Sequence, residues 1–111
     1  KKGAQGQQSR NTLDEILFKI NEKYKGDFSD SDHVIIGALH DRLLKDQKLS
    51  DSAKTSEPRI FTESIFPNAF GNVAMESYTE QQDSYASLFA DKAKYAAVMN
   101  ALAGIIYREL R

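Results

Sequence analysis

The sequence contains no cysteine and no tryptophan among its 111 residues. Without thiols, the chain cannot form a disulfide framework, a zinc site built on thiolates or a cysteine nucleophile. Such staples are also unnecessary at this length, because 111 residues with 41% hydrophobic content are enough to enclose one core. The composition therefore predicts a single globular domain.

Long hydrophobic runs are missing as well. The longest uncharged apolar stretch, Tyr95–Ile106, is well short of the roughly 20 residues that a membrane span needs, and no secretory signal peptide heads the chain. We therefore expect no membrane partner and a cytosolic location.

The sequence also lacks the common motifs of hydrolytic enzymes. It has no glycine-rich phosphate loop, no GxSxG nucleophile elbow and no HExxH zinc motif. We expect no catalytic residue, no metal site and no cofactor in this domain, which favours a function in binding.

Positive charge is absent from one part of the chain. Eleven of the 15 lysines and arginines lie in residues 1–59, none lies in residues 60–91, and the net charge is only −1. The second stretch carries the carboxylates of Glu63, Glu76, Glu80, Asp83 and Asp91. Acidic and basic partners are therefore expected to meet different halves of the molecule.

What is present at the start of the chain predicts a linker. Residues 1–11, KKGAQGQQSRN, are rich in glycine and glutamine and show no apolar periodicity. Because no initiator methionine is present, we expect a flexible tract cut from a longer polypeptide, followed by one domain over residues 12–111.

Helical periodicity dominates residues 12–111, and no strand pattern occurs. Thr12 and Glu15 form a capping-box pattern that predicts a first helix over residues 12–25, and a cap-rich turn at 27–32 predicts a second helix to about Asp46. The last helix, predicted over residues 92–110 with Asp91 as its N-cap, is apolar on nearly every side. The sequence predicts an all-α domain of about five or six helices packed around this central C-terminal helix.

The middle of the chain gives weaker patterns. Residues 49–57 are polar and predict at most a single helical turn, followed by a short helix over 59–66. Pro67 and the turn formers at 68–72 predict a break and a bend before a segment at about 73–78, and residues 81–89 again show helical spacing.

Two sets of residues are candidates for binding. Exposed cations are sufficient for phosphate contacts, so the candidates for DNA are the basic residues Arg10, Lys19, Lys23, Lys25, Arg42, Lys45, Lys48, Lys54 and Arg59. An ordinary charged surface remains the alternative, because acidic residues are interleaved among them. The candidates for a protein partner come from the acidic and aromatic half: Phe70, Glu76, Tyr78, Glu80 and Asp83.

Two further clusters of residues are weak candidates for metal sites. His33, His40 and Asp41 resemble ligands of HD-type phosphohydrolases, but the histidines stand two helical turns apart, about 10 Å, too far to share one ion without help from another element. Asp27, Asp30 and Asp32 lack the glycine and closing glutamate of an EF-hand, so helix capping is the better interpretation.

Several strings of the sequence are idiosyncratic enough to indicate a family. They are GDF at 26–28, ESIFP at 63–67, ESYTEQ at 76–81 with Tyr85 and Leu88-Phe89 following, and IYREL at 106–110. Over residues 11–111 the chain resembles the C-terminal helical domain of the R (HsdR) motor subunit of type I restriction-modification enzymes, of the EcoR124-like IC family.

This resemblance implies a large bacterial, cytoplasmic parent protein with an endonuclease domain and two helicase-like ATPase domains, which use ATP and Mg²⁺. The implied partners are double-stranded DNA, the methyltransferase core of M and S subunits, and other domains of the R subunit. The domain itself would serve complex assembly and DNA binding. A purely structural docking domain is the alternative, and an HD-type metal phosphohydrolase is a remote one.

Overall fold

Helices account for nearly all of the chain in this computed structural model, which describes residues 3–26 and 28–111, with side chains from residue 12 onward. The helices are α1 (Gly3–Lys23), α2 (Asp30–Leu44), α3 (Gln47–Thr55), α4 (Pro58–Ile60), α5 (Phe66–Glu80), α6 (Gln82–Ala90) and α7 (Lys92–Leu110), and a π-helical segment, Phe61–Ile65, joins α4 to α5. No strand occurs in the described part, so the predicted all-α fold is confirmed. None of the helices described there is both long enough and apolar enough to cross a membrane.

α7 lies at the centre of the domain, as its sequence predicts. Helices α1, α2, α3, α5 and α6 and the π-helical segment all pack against it. Leu102, Ile105 and Ile106 on α7 are fully buried, whereas a strip that includes Ala96 and Gly104 stays exposed. α7 is therefore the core helix, although it is not enclosed on every side.

α1 runs antiparallel to α7, and side-chain hydrogen bonds join the two near both ends of α7. The Arg108 guanidinium donates to both carboxylate oxygens of Glu15, at 2.8 and 2.9 Å, and the Tyr24 hydroxyl donates to Asp91 Oδ2 at 2.7 Å. These bonds are the main reasons that the pKa values of Glu15 and Asp91 lie below their ordinary range. Asp91 also accepts from the first-turn amides of α7, which confirms the predicted N-cap.

The predicted start of the first helix is wrong. α1 begins at Gly3, so Thr12 lies within the helix and is not its N-cap. Residues 3–11 contain alanine and several glutamines, which are good helix formers, and no proline separates them from the apolar stripe that follows. The assignment of residues 1–11 to a linker stays a prediction.

Side-chain caps position α2 and α3. The Ser29 hydroxyl accepts from the Asp32 amide at 3.1 Å and Asp32 Oδ2 accepts from the Ser29 amide at 3.0 Å, which completes a capping box. Asp46 caps α3 by accepting from the Leu49 amide at 3.1 Å. α3 spans nine residues rather than the single turn predicted, because Leu49 and Ala53 bury one face of it in the core.

Residues 58–80 form one continuous helical rod, so the predicted break at Pro67 and bend at 68–72 are wrong. A helical proline lacks an N–H donor, and its ring clashes with the carbonyl four residues before it, here that of Glu63. Glu63 lies in the π-helical segment, where the Phe66 N–H donates to the carbonyl of Phe61, five residues back. This wider turn accommodates the proline, and the described residues form six helical rods, within the predicted number.

A buried ion pair links α2, α6 and α7. Lys94 Nζ donates to Asp32 Oδ2 at 3.0 Å and to Ser87 Oγ at 3.1 Å, and Ser87 donates in turn to Asp32 Oδ1 at 3.2 Å. Nζ also lies 5.1 Å from the centroid of the Phe28 ring. The Lys94 and Asp32 side chains are only 9% and 8% exposed. No buried side-chain nitrogen or oxygen that the structure describes lacks a partner, so this polar cluster is fully satisfied.

Candidate binding surfaces

One group of candidate DNA-binding lysines lies where α1 ends. Lys19, Lys23 and Lys25 are all exposed. The Tyr24–Asp91 bond places this end of α1 beside the first turn of α7. We call these three residues the first lysine group.

A second group begins at the end of α2 and continues along α3. Lys45, Lys48 and Lys54 are exposed. The Tyr107 hydroxyl donates to the Ser56 carbonyl at 2.6 Å, which places the end of α3 beside the last turn of α7. We call these three residues the second lysine group.

Lys25 precedes α2 and Lys45 is its C-cap residue, so these two lysines stand at opposite ends of the helix. This helix has 15 residues, which corresponds to about 20 Å at 1.5 Å per residue. Lys23, Lys25 and all three lysines of the second group form no ion pair among the side chains of residues 12–26 and 28–111. Their ammonium groups are therefore available to an external anion.

Two of the three arginines predicted to bind DNA have partners within the domain. Arg42 donates from Nη1 to Ser77 Oγ at 2.6 Å and from Nη2 to the Glu80 carboxylate at 3.1 and 3.2 Å. Arg59 Nε lies 3.6 Å from Glu63 Oε2, one helical turn along the same rod. Arg42 thus links α2 to α5, which makes it a poor candidate for phosphate. The side chain of Arg10 lies outside the described residues.

The residues predicted to bind a protein partner differ in how far they are buried. Phe70 is fully buried, with its ring centroid 5.1 Å from that of Tyr95, so its assignment to a partner surface is wrong. Tyr78 is half-buried against Phe89, with ring centroids 5.1 Å apart. Glu76, Glu80 and Asp83 are exposed.

Two shallow, open depressions lie on the outer face of α5 and over the turn into α6. A depression of about 650 Å³ is lined by Asn72, Met75, Glu76, Thr79 and Glu80. A second depression of about 480 Å³ shares Thr79 and Glu80 and continues over the turn into α6 as far as Ser84. We call the residues that line these two depressions the α5 groove.

Sequence reasoning missed Met75, the apolar side chain of the α5 groove. Its side chain is 53% exposed, whereas Phe66, Phe70, Val73 and Ala74 of the same helix are buried. Counting helical spacing onward from Phe66 would have placed Met75 off the buried face. The expected bend at 68–72 interrupted that count.

The two histidines have separate surroundings. His40 Nε2 is 2.7 Å from Glu109 Oε1, which joins α2 to the last turn of α7. His33 lies near the start of α2 and is half-buried. Within the part of the chain that the structure describes, no three His, Asp or Glu side chains are grouped to hold a metal ion. Asp27 of the acidic turn lies outside that part.

Comparison with protein-family models, with curated proteins and with solved structures finds no match to this chain. The resemblance to type I R subunits therefore rests on the sequence strings themselves.

Proposed function

We propose that this chain is a DNA- and protein-binding module, equivalent to the C-terminal helical domain of the R subunit of a type I restriction-modification enzyme. The observation that carries the proposal is the set of exposed lysines in the two lysine groups, of which Lys23, Lys25, Lys45, Lys48 and Lys54 form no ion pair with a described side chain. The resemblance supplies the identity of the partners: double-stranded DNA, the methyltransferase core and the remainder of the R subunit. ATP and Mg²⁺ belong to other domains of that parent.

Lysines arranged in this way suit a duplex backbone. Exposed ammonium groups release condensed counterions when they meet phosphates, and they need no precise geometry to do so. Lysines separated by the length of α2, about 20 Å, can contact phosphates at separate points along one duplex, which fixes orientation as well as affinity. The overall charge of −1 does not oppose this, because the acidic residues of 60–91 other than Asp91 lie on the rod of residues 58–80 and on α6.

Neutralising the second lysine group is expected to weaken the salt dependence of DNA binding. Each phosphate contact contributes about 0.9 to the slope of log K against log salt, so Lys45→Gln with Lys48→Gln should reduce that slope by about 1.8. The measurement is fluorescence anisotropy of a labelled duplex with the full chain, across a series from about 50 to 200 mM salt.

The matched control removes two positive charges from α7, outside the set of DNA-binding candidates. Lys92→Gln with Arg108→Gln changes two exposed residues and breaks only the surface ion pair with Glu15, which contributes little to stability. This variant should keep nearly the original slope. Equal slopes in all three proteins would overturn DNA contact through the second lysine group.

A structural docking domain that never meets DNA is the second candidate. It is favoured by Asp41, Asp46 and Asp51, which are interleaved with the second lysine group along α2 and α3. On this alternative, the chain binds the methyltransferase core with an affinity that the two lysine substitutions leave unchanged. Binding to the core and to DNA, measured separately with the same variants, distinguishes the two functions.

A further inference from the structure

The α5 groove combines an exposed apolar side chain with carboxylates around it. Met75 is flexible and polarisable, and a half-exposed methionine adapts to partner side chains of different shape. It lies between Asn72 and Thr79, one turn away on either side, with Glu76 beside it. The groove thus offers one apolar contact inside a polar rim, as protein-binding surfaces commonly do.

The described part of the domain does not neutralise all the negative charge around this groove. Glu80 is held by Arg42, but Glu76 and Asp83 form no ion pair with any side chain that the structure describes. No lysine or arginine occurs in residues 60–91, so neither α5 nor α6 supplies a cation. A ligand that brings positive charge would be complementary to this surface.

We propose that the α5 groove binds a helix of a partner protein that presents lysine or arginine on either side of an apolar side chain. The apolar side chain would pack on Met75, and the flanking cations would lie against Glu76 and Asp83. Helices commonly dock in this way, with one face laid in a groove and charges on the rim setting orientation. The proposal specifies the partner chemistry of the protein-binding part of the proposed function and rests on it.

Nucleic acid does not fit this surface, because the carboxylates would repel phosphates. A second copy of the chain is a competing occupant, since the lysine groups could dock on the acidic rim of a neighbouring molecule. Such a contact joins two different surfaces and would produce open assemblies, so it can be recognised by concentration-dependent mass.

The test is a titration of the isotope-labelled 111-residue chain, followed by NMR, with a synthetic amphipathic helical peptide made of leucine and lysine. Amide shifts should concentrate at the α5 groove, at Asn72, Met75, Glu76, Thr79 and Asp83. The same peptide with glutamate in place of lysine should produce no shifts there.

Three variants test which residues contribute to the affinity for the peptide. Glu76→Lys with Asp83→Lys should weaken peptide affinity about tenfold through like-charge repulsion. Met75→Ser should weaken it about fivefold through loss of the apolar contact. Asp14→Lys with Glu57→Lys makes the same change of charge at exposed sites elsewhere and should alter the affinity little.

The proposal is overturned if the shifts spread over the whole surface, or if the control variant loses as much affinity as the groove variant. It is also overturned if sedimentation shows that the wild-type chain self-associates and that Met75→Ser abolishes this. A chain that binds DNA through Lys45 and Lys48 but does not bind the peptide contradicts this proposal alone and leaves the DNA-binding proposal standing.

Discussion

Replacement of Lys94 by methionine is expected to lower the free energy of unfolding by about 3–5 kcal/mol, the usual effect of removing one partner from a buried ion pair. The substitution keeps the volume of the side chain but leaves the Asp32 carboxylate in the core without its cation. Asp32 would retain the bonds from Ser29 and Ser87, which cannot replace a positive charge at 3.0 Å. Chemical denaturation at neutral pH measures the loss.

A double variant separates the charge from the packing. Asp32→Asn with Lys94→Met removes both charges and keeps an acceptor for the Ser29 amide, so the capping box of α2 survives. Replacement of a whole buried pair by neutral groups is often close to neutral, so the double variant should be more stable than Lys94→Met alone. A double variant as unstable as the sum of both single variants would show that the two residues act independently.

The pH dependence of the same pair has a defined sign. Burial raises the pKa of Asp32, but the hydrogen bonds from Lys94, Ser29 and Ser87 and the charge of Lys94 outweigh it, and the pKa lies below its ordinary value. A lowered folded-state pKa stabilises the fold fully above the unfolded value of about 3.9, and this contribution is lost as the pH falls through the folded value. Wild-type stability should therefore fall below about pH 4, and its advantage over Lys94→Met should narrow as the pH falls toward and below that value.

Some helices could be predicted from the local sequence pattern and others could not. α7 was predictable because its apolar residues repeat over 19 residues and Asp91 stands immediately before them. The rod over residues 58–80 was not, because Pro67 is a reliable helix breaker in an α-helical register and only the π-helical segment before it changes that register. Nothing in the sequence of residues 61–65 distinguishes a π-helical turn from an α-helical turn.

The candidate binding residues also could not all be predicted from local sequence. Sequence reasoning treated Arg42 and Lys45 alike, since both are basic and both lie near the end of one helix. Their difference arises from α5, whose Ser77 and Glu80 bind Arg42 from 35 and 38 residues away along the chain. Long-range pairing decides which cations are free, and a single sequence does not record it.

Phe70→Ala is expected to lower the free energy of unfolding by about 3–5 kcal/mol, as for other fully buried phenylalanines. Phe70 lies 5.8 Å from Phe66 and 5.1 Å from Tyr95, measured between ring centroids, so the substitution opens a cavity between α5 and α7. A domain of this size has about 5–15 kcal/mol in total, so much of its stability would be lost. Thermal and urea denaturation of the full chain measure the change.

Phe18→Ala is the matched control, since it removes the same ring from a helix surface where the side chain is 67% exposed. It should change the free energy of unfolding by less than about 0.5 kcal/mol, because most of that ring is already in water and alanine favours the helix. If Phe70→Ala were equally mild but weakened partner binding, Phe70 would be a surface anchor after all. A large loss of stability at Phe70 and none at Phe18 would instead show that the Phe70 ring serves the core and is not available to a partner.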